Sequence, residues 1–376
     1  MKTVHRHQKV STSVFVGKVL VTLLTFVSFG KVFAYPEMVR YGYANCISCH
    51  VSPTGGGVLT EYGRALSAEI LSTWTSHDEE KFLYGAVTPP DWLSTGGDVR
   101  ALGLFQALGV RQGFNFIFMQ ADAEAAATIG DVTLDATGGV SYDGTPISRR
   151  HFLTYRPTES LSFRLGKFMP AFGINSENHS VGVKRGLGKD EGTETYNIEA
   201  AWIGENFDAF LTGILGRPDN LQLGAETGGA LSSSFFVAKS IKLGASYYYG
   251  TRDIEQRHVL GPFAMVGFTP RLFLLAEADF QFFIPKTLQG GITQNGFVDD
   301  IRLDYELYQG VHFYLLQEYY TYDFSSSLAS SDSYGVGFQW FPRPHIELNT
   351  VYEKQRIGGT SANFGNYAYL MLHYYL

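Results

Sequence analysis

The fold is decided by residues 297–308, which read FVDDIRLDYELY. Side chains alternate between the two faces of a β-strand, so a strand through this stretch separates its apolar from its charged residues. The apolar face holds Phe297, Ile301, Leu303, Tyr305 and Leu307, and the charged face holds Asp300, Arg302, Asp304 and Glu306. One face suits lipid and the other suits water, which is the pattern of a strand in the wall of a membrane barrel.

The same alternation recurs along the chain from about residue 97 to the C-terminus, in about sixteen short segments. From the third segment onward, the connections alternate between short turns and longer polar loops, of which residues 169–192 form the longest. An even number of strands and this asymmetry of turns are typical of bacterial outer-membrane barrels. We therefore predict an all-β fold: a transmembrane antiparallel β-barrel of about sixteen strands, in contact with membrane lipid.

The composition excludes several other classes of protein. The chain has 376 residues, of which 45% are hydrophobic, 15% aromatic and only 17% charged, and it has 2 Cys. Few charges and many aromatic residues exclude a disordered chain or a coiled coil, and two cysteines exclude a disulfide-rich scaffold. A single barrel can account for most of this length.

The first 34 residues are predicted to be a cleavable signal peptide. Basic residues precede an apolar stretch over residues 14–29, and the small residue Ala34 stands at the expected cleavage site. Lys18 interrupts the stretch, which falls short of the ~20 apolar residues that a membrane-spanning helix needs. Removal of the signal leaves 24 basic and 36 acidic groups, a net charge of −12. We expect an exported protein of the bacterial outer membrane with no nucleic-acid partner.

The only two cysteines lie in Cys46-Ile47-Ser48-Cys49-His50, a C-x-x-C-H motif. This spacing is typical of covalent attachment of one haem c, because each thiol can reach one vinyl group of the same porphyrin. His50 would then be the proximal ligand of the haem iron. The alternatives are a zinc site, for which no second Cys/His pair follows at a suitable spacing, a redox dithiol, which lacks a βαβ context, and coincidence.

The rest of the N-terminal segment offers further candidates. Residues 58–72 have helical spacing of their apolar side chains and should pack against the haem or the barrel. Arg64 on this helix is a candidate partner for a haem propionate, although an Arg at such a position is often merely solvated. Met38 is our candidate distal ligand of the iron, because Met raises the potential of a haem. The alternatives for this distal position are His77, Met169 and His179.

Together these residues resemble a known family. The motif Cys46, Cys49 and His50, followed by Tyr62-Gly63-Arg64 in a short N-terminal head and then by a barrel of about sixteen strands, resembles the fused outer-membrane cytochrome-porins associated with bacterial iron oxidation. The resemblance implies a signal peptide at residues 1–34, a mostly helical monohaem head at 35–95 and a porin-like barrel at 96–376. It also implies electron transfer between an extracellular donor or acceptor, with ferrous iron as one candidate, and a periplasmic electron carrier. The head would lie on the periplasmic side or inside the barrel lumen.

Three classes of function therefore stay open. The first is the electron conduit, which would be an electron-transfer protein with ferrous iron oxidation as one possible activity. The second is a passive porin for small solutes whose haem-bearing head acts as a plug or sensor. The third is an enzyme with an open haem site, which would need an acid–base residue beside a vacant distal position. The sequence contains no motif for hydrolytic or nucleotide chemistry.

Overall fold

The computed structural model describes residues 36–43, 45–109, 111–176, 178, 181–220, 225–286, 292–326, 330–358 and 363–376. The predicted signal peptide lies outside the described residues. Among the helices of the described residues, none is both long enough and apolar enough to cross a membrane.

The strands form one closed antiparallel sheet. They are β1 (Leu93–Leu108), β2 (Arg111–Ile129), β3 (Val132–Ser141), β4 (Pro146–Ile147), β5 (His151–Tyr155), β6 (Leu161–Phe168), β7 (Thr195–Ile203), β8 (Phe207–Gly216), β9 (Thr227–Ala238), β10 (Ile241–Thr251), β11 (Glu255–Thr269), β12 (Leu272–Pro285), β13 (Gln294–Tyr308), β14 (Val311–Thr321), β15 (Ser330–Arg343), β16 (Ile346–Ile357) and β17 (Gly365–Tyr375). Each strand pairs with its neighbours in sequence, and β1 also pairs with β17, where Ala101 lies opposite Leu372.

The closed sheet has sixteen strands around its circumference in the described part of the chain, although seventeen segments are strand. The two-residue β4 and the adjacent β5 both pair with β3, so they occupy one position in the wall. Gly139 lies opposite Ile147 and Ala136 lies opposite His151, so the intervening residues 148–150 form a bulge. The predicted barrel of about sixteen strands is confirmed.

The alternation in β13 is also as predicted. Ile301 and Leu303 lie on the outer surface, while Arg302, Asp304 and Glu306 are buried inside the barrel. Exposed apolar side chains on the outer surface of a closed sheet are favourable only against lipid, and closure leaves no unpaired strand edge. The barrel is therefore built to lie in a membrane.

The two ends of the barrel differ. One end, which we call the short-turn end, contains the start of β1, the end of β17 and tight turns such as residues 270–271 and 309–310. The opposite end carries the longer loops. The described parts of the longest one, residues 169–176, 178 and 181–194, fold into the lumen, where the Ile174 N–H donates to the Glu277 carboxylate at 2.6 Å. A short helix in this loop, α2 (Gly182–Arg185), packs against β12, β13 and β14.

The N-terminal segment precedes β1 and packs at the short-turn end. It contains 3-10 turns at Pro36–Tyr41, Cys46–Ser48 and Phe82–Gly85, and the helix α1 (Glu61–Leu66), which continues into a π turn at Ser67–Leu71. The Thr73 N–H donates to the Phe341 carbonyl at 2.8 Å, which attaches this segment to the end of β15.

Helix α1 is shorter than the helix predicted at residues 58–72. Val58 instead accepts a hydrogen bond from the Val51 N–H at 3.0 Å, and Thr60 is the N-cap, whose hydroxyl accepts from the Gly63 N–H at 3.0 Å. The helix begins only after this cap because Val58 pairs with Val51 and Leu59 pairs with His50, the last residue of the motif.

Candidate functional site

The C-x-x-C-H motif forms a tight turn. Residues Cys46–Ser48 are a 3-10 turn, and the Cys46 carbonyl accepts hydrogen bonds from the N–H groups of Cys49 at 3.2 Å and of His50 at 2.9 Å. Both cysteines are free thiols, and Cys49 is buried. The turn holds the two thiols and the imidazole in one compact piece of chain.

The glycine run at residues 55–57 folds directly over this turn. All three glycines have positive φ, between 68° and 81°, which side chains of L-residues rarely allow. A Cβ atom on Gly55 would lie 3.2 Å from the Cys46 Sγ, and one on Gly57 would lie 2.7 Å from the Glu124 carboxylate. The run is therefore a tight turn that approaches both the cysteine pair and the barrel wall closely.

Helix α1 packs on the other side of the motif. A Cβ atom added to Gly63 would lie 2.3 Å from the Cys49 carbonyl oxygen, so only glycine allows the helix to approach this closely. The Thr60 hydroxyl also donates to the Ser48 carbonyl at 2.9 Å. The Tyr62-Gly63-Arg64 sequence therefore positions the helix against the cysteine pair.

These elements enclose a cavity of about 340 Å³ inside the short-turn end of the barrel. Met38, Cys46, Cys49 and His50 all line it, together with the glycine run and the inner face of the barrel wall. Cofactor pockets commonly have volumes of ~300–1,000 Å³. The structure thus brings four of the five candidate residues to one cavity.

Arg64, the fifth candidate, does not line the cavity. Its guanidinium donates to the Thr95 carbonyl in β1 and lies 5.7 Å from the centroid of the Phe82 ring. Its role as a propionate partner stays a prediction. The position of the guanidinium against β1, away from the cavity, does not favour this role.

Six cationic side chains that sequence reasoning missed do line the cavity. They are Arg100, Arg150, Arg164, Lys184, Lys189 and Lys242. Arg150 donates two hydrogen bonds to Glu124, at 2.9 and 3.1 Å, and a Cβ atom on Gly56 would lie 3.2 Å from its Nη1. Arg164 reaches the N-terminal segment itself, donating to the Ser52 hydroxyl at 3.1 Å. The alternation predicts which side chains of a strand face inward. It does not predict how far along the barrel axis each of these side chains lies.

Burial sets the protonation states of the motif. It lowers the pKa of His50 to about 4, with a further contribution from the positive charge of Arg150. It raises the pKa of Cys46, and it raises the pKa of the Cys49 thiol to about 12. At neutral pH the imidazole is therefore neutral, as a metal ligand must be, and both thiols are protonated. The buried Nδ1 of His50 has no hydrogen-bond partner among the described residues.

The candidate distal ligands do not all lie at the cavity. Met38 is almost fully buried in the cavity wall, and Met169 also lines the cavity. The His77 side chain is 90% exposed and pairs with Asp78 at 2.8 Å, so it is a surface residue. His179 lies outside the described residues.

Across the described ranges, no group of three or more His, Cys, Asp or Glu side chains is arranged to hold a metal ion, which disfavours the zinc alternative there.

Solved structures with the same architecture are outer-membrane proteins. A loop-deletion mutant of OmpT from Vibrio cholerae aligns with a TM-score of 0.61 and 11% identity over 76% of this chain and 99% of its own. The fold is that of the outer-membrane porins. The anion-selective porin of Comamonas acidovorans aligns with a TM-score of 0.57 and 10% identity over 76% of this chain and 99% of its own.

A third similar structure is the outer-membrane channel DcaP of Acinetobacter baumannii, with a TM-score of 0.56 and 12% identity over 76% of this chain and 97% of its own. No family model matches the sequence, and no curated protein matches it. At this level of identity the likeness establishes the porin fold alone.

Proposed function

We propose that this chain is a bacterial outer-membrane cytochrome-porin: a barrel whose N-terminal segment binds one haem c and transfers electrons between an extracellular donor or acceptor and a periplasmic carrier. The observation that carries this proposal is the meeting of Cys46, Cys49 and His50 at one cavity within the short-turn end of the barrel.

The residues present fit a covalently attached haem. Two free thiols and a neutral imidazole with a buried, unpartnered Nδ1 among the described residues face a cavity large enough for a cofactor. Cys46 and Cys49 would hold it through thioether bonds, His50 would bind the iron, and Met38 is the candidate for the opposite side. When bound, haem supplies one-electron chemistry, and the protein sets its potential and accessibility.

The chain's own residues account for the environment of the site. The glycine run and Gly63 allow the backbone to approach the motif closely from two sides. Arg150 and Arg164 bring positive charge to the same cavity and are candidates to bind the carboxylates of a cofactor. Their existing partners, Glu124 and Glu199, keep these guanidinium groups oriented.

Ferrous iron is proposed as a donor on the resemblance alone. Glu277, Asp279 and Asp300 face inward on β12 and β13, but Glu277 and Asp279 are almost fully buried, so they offer little free negative charge to the lumen. Asp304 and Glu306 also face inward but pair with Arg302 and Arg40, so they contribute less free negative charge. A donor would approach from the long-loop end, and a carrier would approach the short-turn end.

The porin fold itself favours a second candidate function. A barrel of this size can hold a water-filled passage, and the solved structures that it resembles include a porin and a channel. In that case the chain would be a passive porin for small solutes, and the N-terminal segment would be its plug or sensor.

Haem staining of the denatured protein and a pyridine haemochrome spectrum test the proposal. We expect a covalent c-type signal in the wild type and its loss in Cys49→Ala, with the matched Ser48→Ala variant unchanged because Ser48 contributes its backbone carbonyl to the Thr60 contact. A correctly inserted wild-type barrel without haem would overturn electron transfer. Liposome swelling that does not depend on the motif would then support the passive porin.

A further inference from the structure

Helix α1 and the π turn that follows it separate the cavity from solvent. Leu59, Gly63, Leu66, Ser67 and Leu71 line the cavity. Glu61, Tyr62 and Glu69 lie on the opposite side and are exposed, and the Tyr62 side chain is 47% exposed. The thickness of a single helix therefore separates the cysteine pair from this outward face.

The outward face opens at the short-turn end of the barrel. The Asn45 side-chain amide donates to the Gly204 carbonyl in the β7–β8 turn at 3.4 Å. The Gln309 side-chain amide, in the β13–β14 turn, donates to the backbone carbonyls of Glu69 and Ser72, both at 2.9 Å. These contacts fix the segment among the short turns, which are periplasmic in outer-membrane barrels.

An aromatic pair connects the outward face to the cavity. The ring of Tyr62 packs edge-to-face on Tyr43 with centroids 5.9 Å apart, and Tyr43 lines the cavity. A soluble redox protein that contacts Tyr62 would thus stand two side chains from the cavity. Large exposed aromatic residues are also enriched at protein–protein interfaces.

The charge of this face defines the partner. Within residues 61–71 the acidic residues Glu61 and Glu69 are exposed, while the single basic residue, Arg64, is buried and donates to the Thr95 carbonyl in β1. The face is therefore negative around an exposed tyrosine. Transient redox partners bind through small interfaces and rely on complementary charge for rapid encounter.

We propose that the outward face of α1, formed by Glu61, Tyr62 and Glu69, is the docking surface for a soluble periplasmic electron carrier whose own contact surface is positively charged. This inference rests on the proposed electron-transfer function and assigns it a partner surface.

The test uses the haem-loaded, full-length protein in detergent micelles, with haem content measured first. Stopped-flow spectroscopy follows electron exchange with mitochondrial cytochrome c, which has a lysine-rich contact surface, and with plastocyanin, which has an acidic one. We expect Glu61→Lys/Glu69→Lys to lower the second-order rate with cytochrome c about tenfold at low ionic strength and to raise it with plastocyanin. The difference should disappear near ~1 M salt, where screening acts over ~3 Å.

Two further variants make the result specific. Asp253→Lys changes an exposed charge in the β10–β11 loop at the opposite end of the barrel, and we expect it to leave both rates unchanged. Tyr62→Ala should lower the limiting rate at saturating cytochrome c, because it removes the aromatic contact with the cavity wall.

The outcomes separate the two proposals. Full haem content with rates that charge reversal does not change would overturn the docking surface and leave the electron-transfer function standing. A wild-type protein without haem would overturn the electron-transfer function, and the docking surface with it. An equal effect of Asp253→Lys would show a response to net charge alone and would also overturn the docking surface.

Discussion

The guanidinium of Arg40 lies 3.0 Å from the carboxylate of Glu306, which is 266 residues further along the chain. Both side chains are buried, and Arg40 also lies against the Tyr41 and Phe273 rings. The contact joins the first described turn of the N-terminal segment to the inner face of β13. The segment is therefore fixed inside the barrel by a charge pair that water does not reach.

Breaking this pair should destabilise the protein strongly. Arg40→Met leaves the Glu306 carboxylate buried with the neutral donors Tyr41 and Gly310 but no opposite charge from Arg40, and removing one partner of a buried ion pair costs about 3–5 kcal/mol of unfolding free energy. The measurement is the midpoint of urea unfolding in detergent micelles, together with the rate of trypsin cleavage within the N-terminal segment. Arg40→Met/Glu306→Gln should recover part of the loss, because it removes the unpaired charge.

The matched control for this pair is Arg343→Met. It breaks the exposed ion pair between Arg343 and Glu79, whose atoms lie 2.9 Å apart. Exposed pairs contribute up to about 1 kcal/mol, so this variant should unfold close to the wild-type midpoint. Equal losses from the two variants would contradict a special role for the buried pair.

Gly63→Ala should impair haem attachment. The new Cβ would lie 2.3 Å from the Cys49 carbonyl oxygen, so α1 must move away from the motif at a cost of about 1–3 kcal/mol. The yield of covalent haem per barrel, from the haemochrome spectrum, should fall. Gly138→Ala is the control, because no atom lies within 4 Å of its Cβ position and its φ is ordinary. Full attachment in Gly63→Ala would contradict the close packing.

Gly173→Ala should release the loop of residues 169–194 from the lumen. Gly173 has a φ of 57°, and a Cβ there would lie 1.7 Å from the Glu277 carboxylate, beside the hydrogen bond that holds the loop. We expect a higher single-channel conductance in planar bilayers. Gly188→Ala, at a φ of 62° in open space, introduces the same backbone strain without the clash and should conduct like the wild type.

Met38→Leu should lower the midpoint potential of the bound haem and leave the haem content unchanged. A Met ligand raises the potential of a haem, and leucine of similar volume keeps the packing without the sulfur. Spectroelectrochemical titration measures the potential. Met265→Leu, which alters a methionine of the cavity wall that is not a candidate ligand, is the matched control. An unchanged potential in Met38→Leu would identify Met38 as a packing residue.

Acid should destabilise the N-terminal segment of the haem-free protein. Burial lowers the pKa of His50 from its usual 6.5 to about 4, so the unfolded state binds a proton in this interval and the folded state does not. Stability is therefore lost as pH falls from about 6.5 to about 4, by up to about 3 kcal/mol. The protease resistance of residues 36–92 should fall over the same pH range. In His50→Asn this resistance should not depend on pH. A pH response that persists in His50→Asn would contradict the assignment.

The barrel could be predicted from the sequence because its signal is local. In β13, Ile301 and Leu303 had to face one way and Arg302 and Asp304 the other, whatever the rest of the chain does. The cysteine motif is equally local, since the spacing of Cys46, Cys49 and His50 is typical of haem attachment, which stays a prediction. The predicted start of α1 is wrong because Val58 pairs with Val51 and Leu59 pairs with His50, contacts that helical periodicity cannot indicate.

The sequence by itself determined a wall of about sixteen strands with a lipid-facing and a water-facing side, and it predicted a haem site at Cys46, Cys49 and His50. Only the tertiary structure decided what meets the motif: Arg150 and Arg164 line the cavity while Arg64 points to β1, and Arg40 pairs with Glu306. The physical reason is that alternation fixes the face of each side chain, whereas its level in the barrel depends on the register of all strands and on how the N-terminal segment packs between them.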